Sequence, residues 1–150
     1  MKKTIIIPVI LFLCLTVKAQ VCEEDMRSLM ETDIQFSNLS KEKGMNFSFL
    51  TYCYDDGVLL RDNQFPIIGK ESIKSFLNAN SDTSFILTWE PIAGSVAVSG
   101  ELGYTYGTYT FINKADTSKV FNGSYVTIWK KDEKGMWKFV LDSGNQGLGD

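Results

Sequence analysis

Asp33 is an acidic side chain at a position where an apolar one is expected. Residues 23–43 have the acid-rich start and the basic end of a helix, and helical spacing puts Asp33 on the same face as Leu29 and Phe36. A buried carboxylate must be paired, hydrogen-bonded or neutralised, and burial raises its pKa. Two interpretations follow. Either Asp33 accepts a hydrogen bond from a tyrosine of the sheet, or it faces a ligand and acts as an acid or base.

A second set of residues suited to chemistry is aromatic and lies in the second half of the chain. Tyrosine and tryptophan combine an apolar ring with a polar tip, which allows them to orient a ligand in an apolar pocket. Besides Asp33, we predict the following ligand-binding residues: Trp89, Tyr104, Tyr106, Tyr125 and Asp142. Strict alternation puts Tyr104 and Tyr106 on one face of their strand and Tyr109 on the other. The alternatives are a core or subunit-interface position for the aromatics and a strand-end cap for Asp142.

The chain contains no histidine, and this narrows the possible chemistry. It excludes the usual forms of Ser-His-Asp and Cys-His catalysis and histidine-based zinc or iron sites. Any general acid or base must then be Asp, Glu, Tyr, Lys or Cys. We predict no metal site and no cofactor, and the sequence leaves open whether the chain is an enzyme.

The elements that position these residues follow from the spacing of apolar side chains. Helical spacing predicts a helix over residues 23–43, a shorter one capped by Asn46, and a third over residues 69–77. A short strand at 58–60 and an edge segment at 64–68 lie between the last two helices. From residue 84 the period changes to two, which predicts strands at 85–90, 95–99, 103–112, 119–130 and 136–142. Three helices followed by a strongly curved antiparallel sheet that wraps around them make an α+β domain.

Residues 1–19 have the organisation of a signal peptide. Two lysines precede an apolar run over residues 5–17, and Val17-Lys18-Ala19 is a signal-peptidase pattern with cleavage predicted after Ala19. The apolar run is shorter than the about 20 residues of a transmembrane helix, so we predict no membrane span. The remaining residues, 20–150, are expected to form one domain that is periplasmic or secreted.

Charge and cysteine content exclude further classes of protein. Removing residues 1–19 takes away three lysines and no acid, so the net charge changes from −3 to −6. An acidic chain without a basic cluster cannot neutralise phosphates, and we predict no nucleic-acid partner. Cys22 and Cys53 either form a disulfide or remain two inert thiols. Geometry speaks against the disulfide, because a helix that starts near Cys22 carries the chain far from it before Cys53 is reached.

The chain resembles the nuclear transport factor 2-like superfamily, near its ketosteroid-isomerase-like and SnoaL-like branches, as an exported bacterial member. The segments that carry the resemblance are FSNLSKEKG (36–44), FLTYCYDDGVLL (49–60), residues 69–77, LTWEP (87–91), SGELGYTYG (99–107), GSYVTIWK (123–130) and WKFVLD (137–142). The resemblance covers nearly all of residues 20–150. It implies a cystatin-like cone whose helices plug the concave side of the sheet and leave a pocket at the open end. It also implies a homodimer packed through the sheet.

The resemblance to ketosteroid isomerases is incomplete where their chemistry is carried. That chemistry needs an acid that shuttles a proton and two oxyanion donors, a tyrosine and a protonated carboxylic acid. The resemblance implies a tyrosine from the first helix, and residues 23–43 contain none. It puts the base just after the second helix, where Asp55 or Asp56 falls, but the DDG sequence is equally an ordinary turn. Steroid isomerisation is therefore not the function that we predict.

Three functions of different classes stay open. We favour an exported domain that binds a small apolar or aromatic molecule in an aromatic-lined pocket. The second is a cofactor-independent isomerase, lyase or hydrolase that uses Asp33 as acid or base, and the third is a non-catalytic dimeric interaction module with a filled cone. A carboxyl group of raised pKa inside an open pocket would favour the enzyme. A pocket without such an acid would favour the binding domain, and no pocket would favour the interaction module.

Overall fold

The computed structural model describes residues 7–147, with side chains described from Glu23 onward. In this part of the chain, three helices pack on a curved six-stranded sheet that is not closed. The helices are α1 (Ile7–Lys43), α2 (Met45–Tyr52) and α3 (Lys70–Ala79). The strands are β1 (Cys53–Leu60), β2 (Ile67–Ile68), β3 (Phe85–Val96), β4 (Leu102–Asn113), β5 (Val120–Lys131) and β6 (Trp137–Gln146). The α+β architecture predicted from the sequence is confirmed.

The sheet has the strand order β2-β1-β6-β5-β4-β3. All neighbouring strands pair antiparallel except β1 and β6, which pair in parallel. The sheet is therefore mixed, whereas the sequence predicted an antiparallel one. Parallel strands are joined by long connections, and β1 and β6 are accordingly far apart in the chain. The alternation within each segment does not show that the two will lie side by side.

Strand β3 is continuous where the sequence predicted two strands. A bulge between Pro91 and Ala93 replaces the predicted break. An edge strand tolerates a proline because one side of its backbone has no partner strand. Gly107 lies opposite Pro91, and a Cβ atom there would collide with the backbone of Glu90. The glycine thus permits the close approach that its position inside a strand predicts.

The N-terminal helix begins earlier than predicted. It starts at Ile7 rather than near residue 23, so it includes part of the segment predicted to be a signal peptide, while residues 1–6 lie outside the described residues. Among the described residues, none of the helices is both long and apolar enough to cross a membrane. Removal of residues 1–19 remains a prediction.

The cap of helix α2 comes from a residue that the sequence did not indicate. Helix α2 follows Gly44, whose φ is 94°, and Asn46 lies inside the helix instead of before it. The backbone N–H of Asn46 donates to Oδ2 of Asp82 at 2.8 Å. The side chain of Asn46 donates to the carbonyl oxygens of Leu77 and Asn80. Asn46 therefore connects α2 to the end of α3 rather than capping its own helix.

The core lies between helix α1 and the inner face of the sheet, with Phe36 at its centre. The rings packed 4.5–5.9 Å from the centroid of Phe36 are those of Phe49, Tyr52, Trp89, Trp129 and Phe139. Cys53 is also buried and carries a free thiol, and burial raises its pKa to about 11. Cys53 is thus the inert thiol that the sequence left as the alternative to a disulfide.

Substituting Gly107 tests how strongly the sheet depends on its bend. We expect Gly107→Ala to lower the free energy of unfolding by about 2 kcal/mol or more, because the new methyl group overlaps backbone atoms that cannot move aside. Urea denaturation measures this change. Gly144→Ala, in strand β6 of the same sheet, is the matched control, since its Cβ would meet only ordinary contacts from 3.5 Å outward. Equal effects of the two substitutions would contradict the account of the bend.

Candidate functional site

A cavity of ≈ 400 Å³ lies between helices α2 and α3 and the inner face of the sheet. Its wall consists largely of aromatic rings, which are those of Phe49, Phe76, Trp89, Tyr109, Phe111 and Tyr125. Charged groups come from Arg61 and Asp62 after strand β1 and from Asp142 in strand β6. The volume falls within the range of small-molecule sites, about 300–1,000 Å³. The cone is therefore open, and its wall combines six aromatic rings with three charged side chains.

Asp33 lies behind this wall and is not one of its lining residues. Its side chain is fully buried. Nε1 of Trp89 donates to Oδ1 of Asp33 at 2.8 Å, and the hydroxyl of Tyr125 donates to Oδ2 at 2.7 Å. Both donors belong to rings that line the cavity. Asp33 thus makes the hydrogen bond to a sheet tyrosine that the sequence suggested. It also fixes the orientation of two rings that line the cavity.

The protonation of this cluster follows from its burial. Loss of solvent raises the pKa of Asp33 above its ordinary value and the nearby Asp142 adds to the rise, whereas hydrogen bonds from Tyr125, Thr105 and Trp89 oppose it. Burial and the neighbouring Asp33 raise the pKa of Tyr125. Tyr125 therefore remains a protonated donor, and its polar tip is directed to Asp33.

Asp142, one of the predicted ligand-binding residues, lines the cavity, and its partner is a residue that sequence reasoning missed. Nη2 of Arg61 lies 2.9 Å from Oδ1 of Asp142, and the hydroxyl of Thr127 donates to Oδ2 at 2.9 Å. Nη1 of Arg61 donates to the carbonyl oxygens of Leu60 at 2.8 Å and Asp142 at 3.3 Å. The guanidinium also lies 5.4 Å from the ring centroid of Phe49. Both charges of the pair are therefore already bound within the protein.

Tyr109 is a second lining residue missing from the predicted site. Its ring lies against Gly123, where a Cβ atom would collide with it, and near Gly144, where a Cβ atom would be 3.5 Å from the ring. Burial is the main cause that raises its pKa; Asp62 raises it further and Arg61 opposes the rise. The sequence signal was present in the alternation of strand β4, which separates Tyr109 from the other two tyrosines of that strand.

Tyr104 and Tyr106 were predicted to bind a ligand, but the structure does not bring them to the cavity. They lie on the outer face of strand β4 and are 44% and 45% exposed. The alternation of the strand was correct, but periodicity does not show which of its two faces turns inward. Asp55 and Asp56, the positions considered for a base, are exposed in strand β1 and do not line the cavity.

Among the described side chains, those of residues 23–147, no group of three or more His, Cys, Asp or Glu could hold a metal ion. The charged groups of the cavity pair with each other or face solvent. The arrangement can enclose an apolar molecule, and the rings of Trp89 and Tyr125 lie between that space and the buried Asp33.

Comparison with known proteins identifies the fold. No protein-family model matches the sequence, and neither does any curated protein. Solved structures do match. A ketosteroid isomerase-like protein from Erwinia carotovora atroseptica superposes with a TM-score of 0.66 at 14% identity, over 85% of this chain and 98% of that chain. An NTF2-like protein with a cystatin-like fold from Novosphingobium aromaticivorans gives 0.68 at 12% identity, over 91% and 90%.

A third match is a protein from Catenulispora acidiphila in complex with S-DNPA. Its TM-score is 0.62 at 10% identity, over 80% of this chain and 91% of that chain. Together these likenesses show that the chain has the cystatin-like, nuclear transport factor 2-like fold that the sequence resemblance implied. Identities this low show the fold alone, because one fold carries many functions.

Replacing Asp33 by asparagine tests the buried carboxyl through pH. The pKa of Asp33 in the folded chain lies above the ordinary value of 3.8, which applies to the unfolded chain. Between these two pKa values the folded chain therefore binds more protons than the unfolded chain. The free energy of unfolding therefore falls as pH rises through that window. Asp33→Asn removes this titration, so the stability of the variant relative to the original chain should increase as pH rises above 3.8. Urea denaturation over a pH series measures the difference.

Asp116→Asn is the control with the opposite sign. Hydrogen bonds from Ser118 and Lys119 lower the pKa of this exposed acid, so its contribution to stability is present above 3.8 and is lost as pH falls. Its variant should therefore not gain relative stability as pH rises. A difference between Asp33→Asn and the original chain that stays constant with pH would contradict a raised pKa at Asp33.

Proposed function

We propose that this protein is an exported domain that binds a small apolar or aromatic molecule in the cavity of its cone. The observation that carries the proposal is a cavity of ≈ 400 Å³ with six aromatic rings in its wall. Two of its three polar aromatic tips, those of Trp89 and Tyr125, are turned to Asp33 behind the wall. The space that a ligand would occupy is therefore mainly apolar, and burying apolar surface there is favourable.

Two further observations support this proposal. The pattern of residues 1–19 is that of an export signal. A protein of the same fold, from Catenulispora acidiphila, has been crystallised in complex with the small molecule S-DNPA. The fold therefore accommodates a small-molecule ligand in at least one other protein.

The catalytic alternative, a cofactor-independent isomerase, lyase or hydrolase, has weaker support. A general acid or base must come within hydrogen-bond reach of the proton that it transfers. Asp33 has a raised pKa, as such a group requires, but it is fully buried and both of its oxygens accept hydrogen bonds from the wall. An acid/base role for Asp33 would therefore have to pass through Tyr125, which lines the cavity.

We also propose that two copies of the domain associate through the outer face of the sheet. Tyr104 and Tyr106 are exposed there, and their cross-strand partners are the half-buried Ile128 and Val126. Together these four side chains form an apolar patch on strands β4 and β5. A patch of this kind on a soluble domain marks an interaction surface, and a two-fold dimer uses the same patch on both copies.

Filling the cavity tests the binding proposal. We expect some members of a panel of small apolar and aromatic compounds to raise the melting temperature, because a ligand that binds only the folded chain stabilises it. Leu87→Trp adds bulk to a lining position and should lower the affinity for those compounds by about tenfold or more. Thermal shift and equilibrium dialysis measure both effects.

Ile86→Trp is the matched control for Leu87→Trp. It makes a comparable enlargement at the next residue of the same strand, on a side chain that does not line the cavity. It should leave the affinity within about twofold of the original chain. Loss of binding in both variants, or in neither, would show that the compounds bind elsewhere.

A charge on the outer face tests the dimer. Tyr106→Lys should convert a dimer to a monomer, because a two-fold interface brings the two new charges close together without partners. Sedimentation velocity measures the mass in solution. Phe65→Lys is the control, since Phe65 is 94% exposed in the segment between β1 and β2 and lies away from this face. A monomeric original chain, or a dimer that survives Tyr106→Lys, would overturn this interface.

A further inference from the structure

We infer, as a deeper reading of the proposed binding function, that the cavity selects an uncharged aromatic molecule with one hydrogen-bonding group. The Tyr109 hydroxyl holds that group, and the carboxylate of Asp62 disfavours anions. The inference rests on the proposed function, because it names the class of ligand that the same cavity takes. Its basis is the state of the charged groups and of the polar aromatic tips in the wall.

The charges of the cavity leave no cation available for an anionic ligand. Arg61 binds the carboxylate of Asp142 and donates to two backbone carbonyl oxygens. Asp62 also lines the cavity, and it forms no ion pair with any residue from 23 to 147. The charged side chains of the lining therefore sum to −1. An incoming carboxylate would meet an acid of the same sign with no free positive charge to offset it.

The polar aromatic tips leave one hydroxyl for a ligand. Of the lining aromatics with a polar tip, Trp89 and Tyr125 both donate to Asp33. The hydroxyl of Tyr109 makes no hydrogen bond to a residue in the described part of the chain. Its pKa is raised by burial first and by Asp62 second. At neutral pH it therefore keeps its proton and is able both to donate and to accept.

The position of Tyr109 is fixed by the backbone beneath it. Gly123 lies directly across the strand pair from Tyr109, and any side chain larger than hydrogen at Gly123 would collide with the ring. Gly144 gives the ring a second surface without a side chain. A ring held in this way presents its hydroxyl at a constant position, and little entropy is lost when a ligand binds to it. The other uncharged polar side chains of the lining are the exposed Gln64, Asn80 and Gln146 and the half-buried Ser143.

Three probes with one ring system separate these contributions. Naphthalene has no polar group, 1-naphthol adds a neutral hydroxyl, and 1-naphthoate adds a carboxylate. Equilibrium dialysis at pH 7 should show that 1-naphthol binds roughly fivefold more tightly than naphthalene, which corresponds to a hydrogen bond of about 1 kcal/mol. The anion 1-naphthoate should bind most weakly of the three.

Two conservative variants test which residue causes the preference for 1-naphthol and which disfavours 1-naphthoate. Tyr109→Phe keeps the ring on its two glycines and removes only the hydroxyl, so the advantage of 1-naphthol over naphthalene should disappear while naphthalene binds as before. Asp62→Asn removes a charge from an exposed side chain, so 1-naphthoate should gain affinity severalfold while 1-naphthol stays unchanged. Melting temperatures of both variants close to that of the original chain establish that they fold.

The possible outcomes separate the inference from the function on which it rests. Binding of the probes with 1-naphthoate tightest, or a 1-naphthol advantage that survives in Tyr109→Phe, would overturn the inference and leave the binding function standing. Failure of all three probes to bind the original chain would overturn both. The expected order of affinities supports both the inference and the binding function if Tyr109→Phe removes the advantage of 1-naphthol and Asp62→Asn raises the affinity for 1-naphthoate.

Discussion

The buried carboxyl group of Asp33 is the interaction on which the rest of the structure depends. It lies on helix α1 and accepts hydrogen bonds from Trp89 in strand β3 and Tyr125 in strand β5. These polar contacts between α1 and the sheet form a seam. Two serines extend it, one and two helical turns further along α1. Ser37 accepts a hydrogen bond from the backbone N–H of Trp89 at 2.8 Å, and Ser40 donates to the carbonyl oxygen of Leu87 at 2.8 Å. One stripe of polar residues thus fastens the helix to the edge strand of the sheet, and covering an edge strand also protects it from pairing with other chains.

The same seam determines the character of the cavity. Because Trp89 and Tyr125 direct their polar tips to Asp33, they present mainly ring surface to the enclosed space. A buried carboxyl group is costly unless its oxygens are hydrogen-bonded, and here both oxygens have donors. As a consequence of these hydrogen bonds, Asp33 does not face the cavity. The geometry that stabilises the fold therefore separates the acid from any ligand, which is the physical reason why binding is favoured over catalysis.

The fold and part of the site were predictable from the sequence, for identifiable reasons. Periodicity predicted the helices and most strands because a helical or alternating pattern depends only on neighbouring residues. Asp33 stood out because it interrupts an apolar face, and its hydrogen bond to a sheet tyrosine followed from that. The pair of Arg61 and Asp142 was not predictable, since it depends on β1 and β6 lying side by side in parallel. The inward face of strand β4 was not predictable either, and this is why Tyr106 was chosen for the site where Tyr109 lies.

The central claim is that the cone holds a small molecule in the living cell. Native mass spectrometry of the protein, purified from its own cells without denaturation, tests this claim most directly. The account predicts an added mass that is released on unfolding and that is absent from a Leu87→Trp chain prepared in the same way. A protein whose mass matches the bare polypeptide in every preparation would contradict a retained ligand. An added mass carried equally by the Leu87→Trp chain would place the molecule outside this cavity.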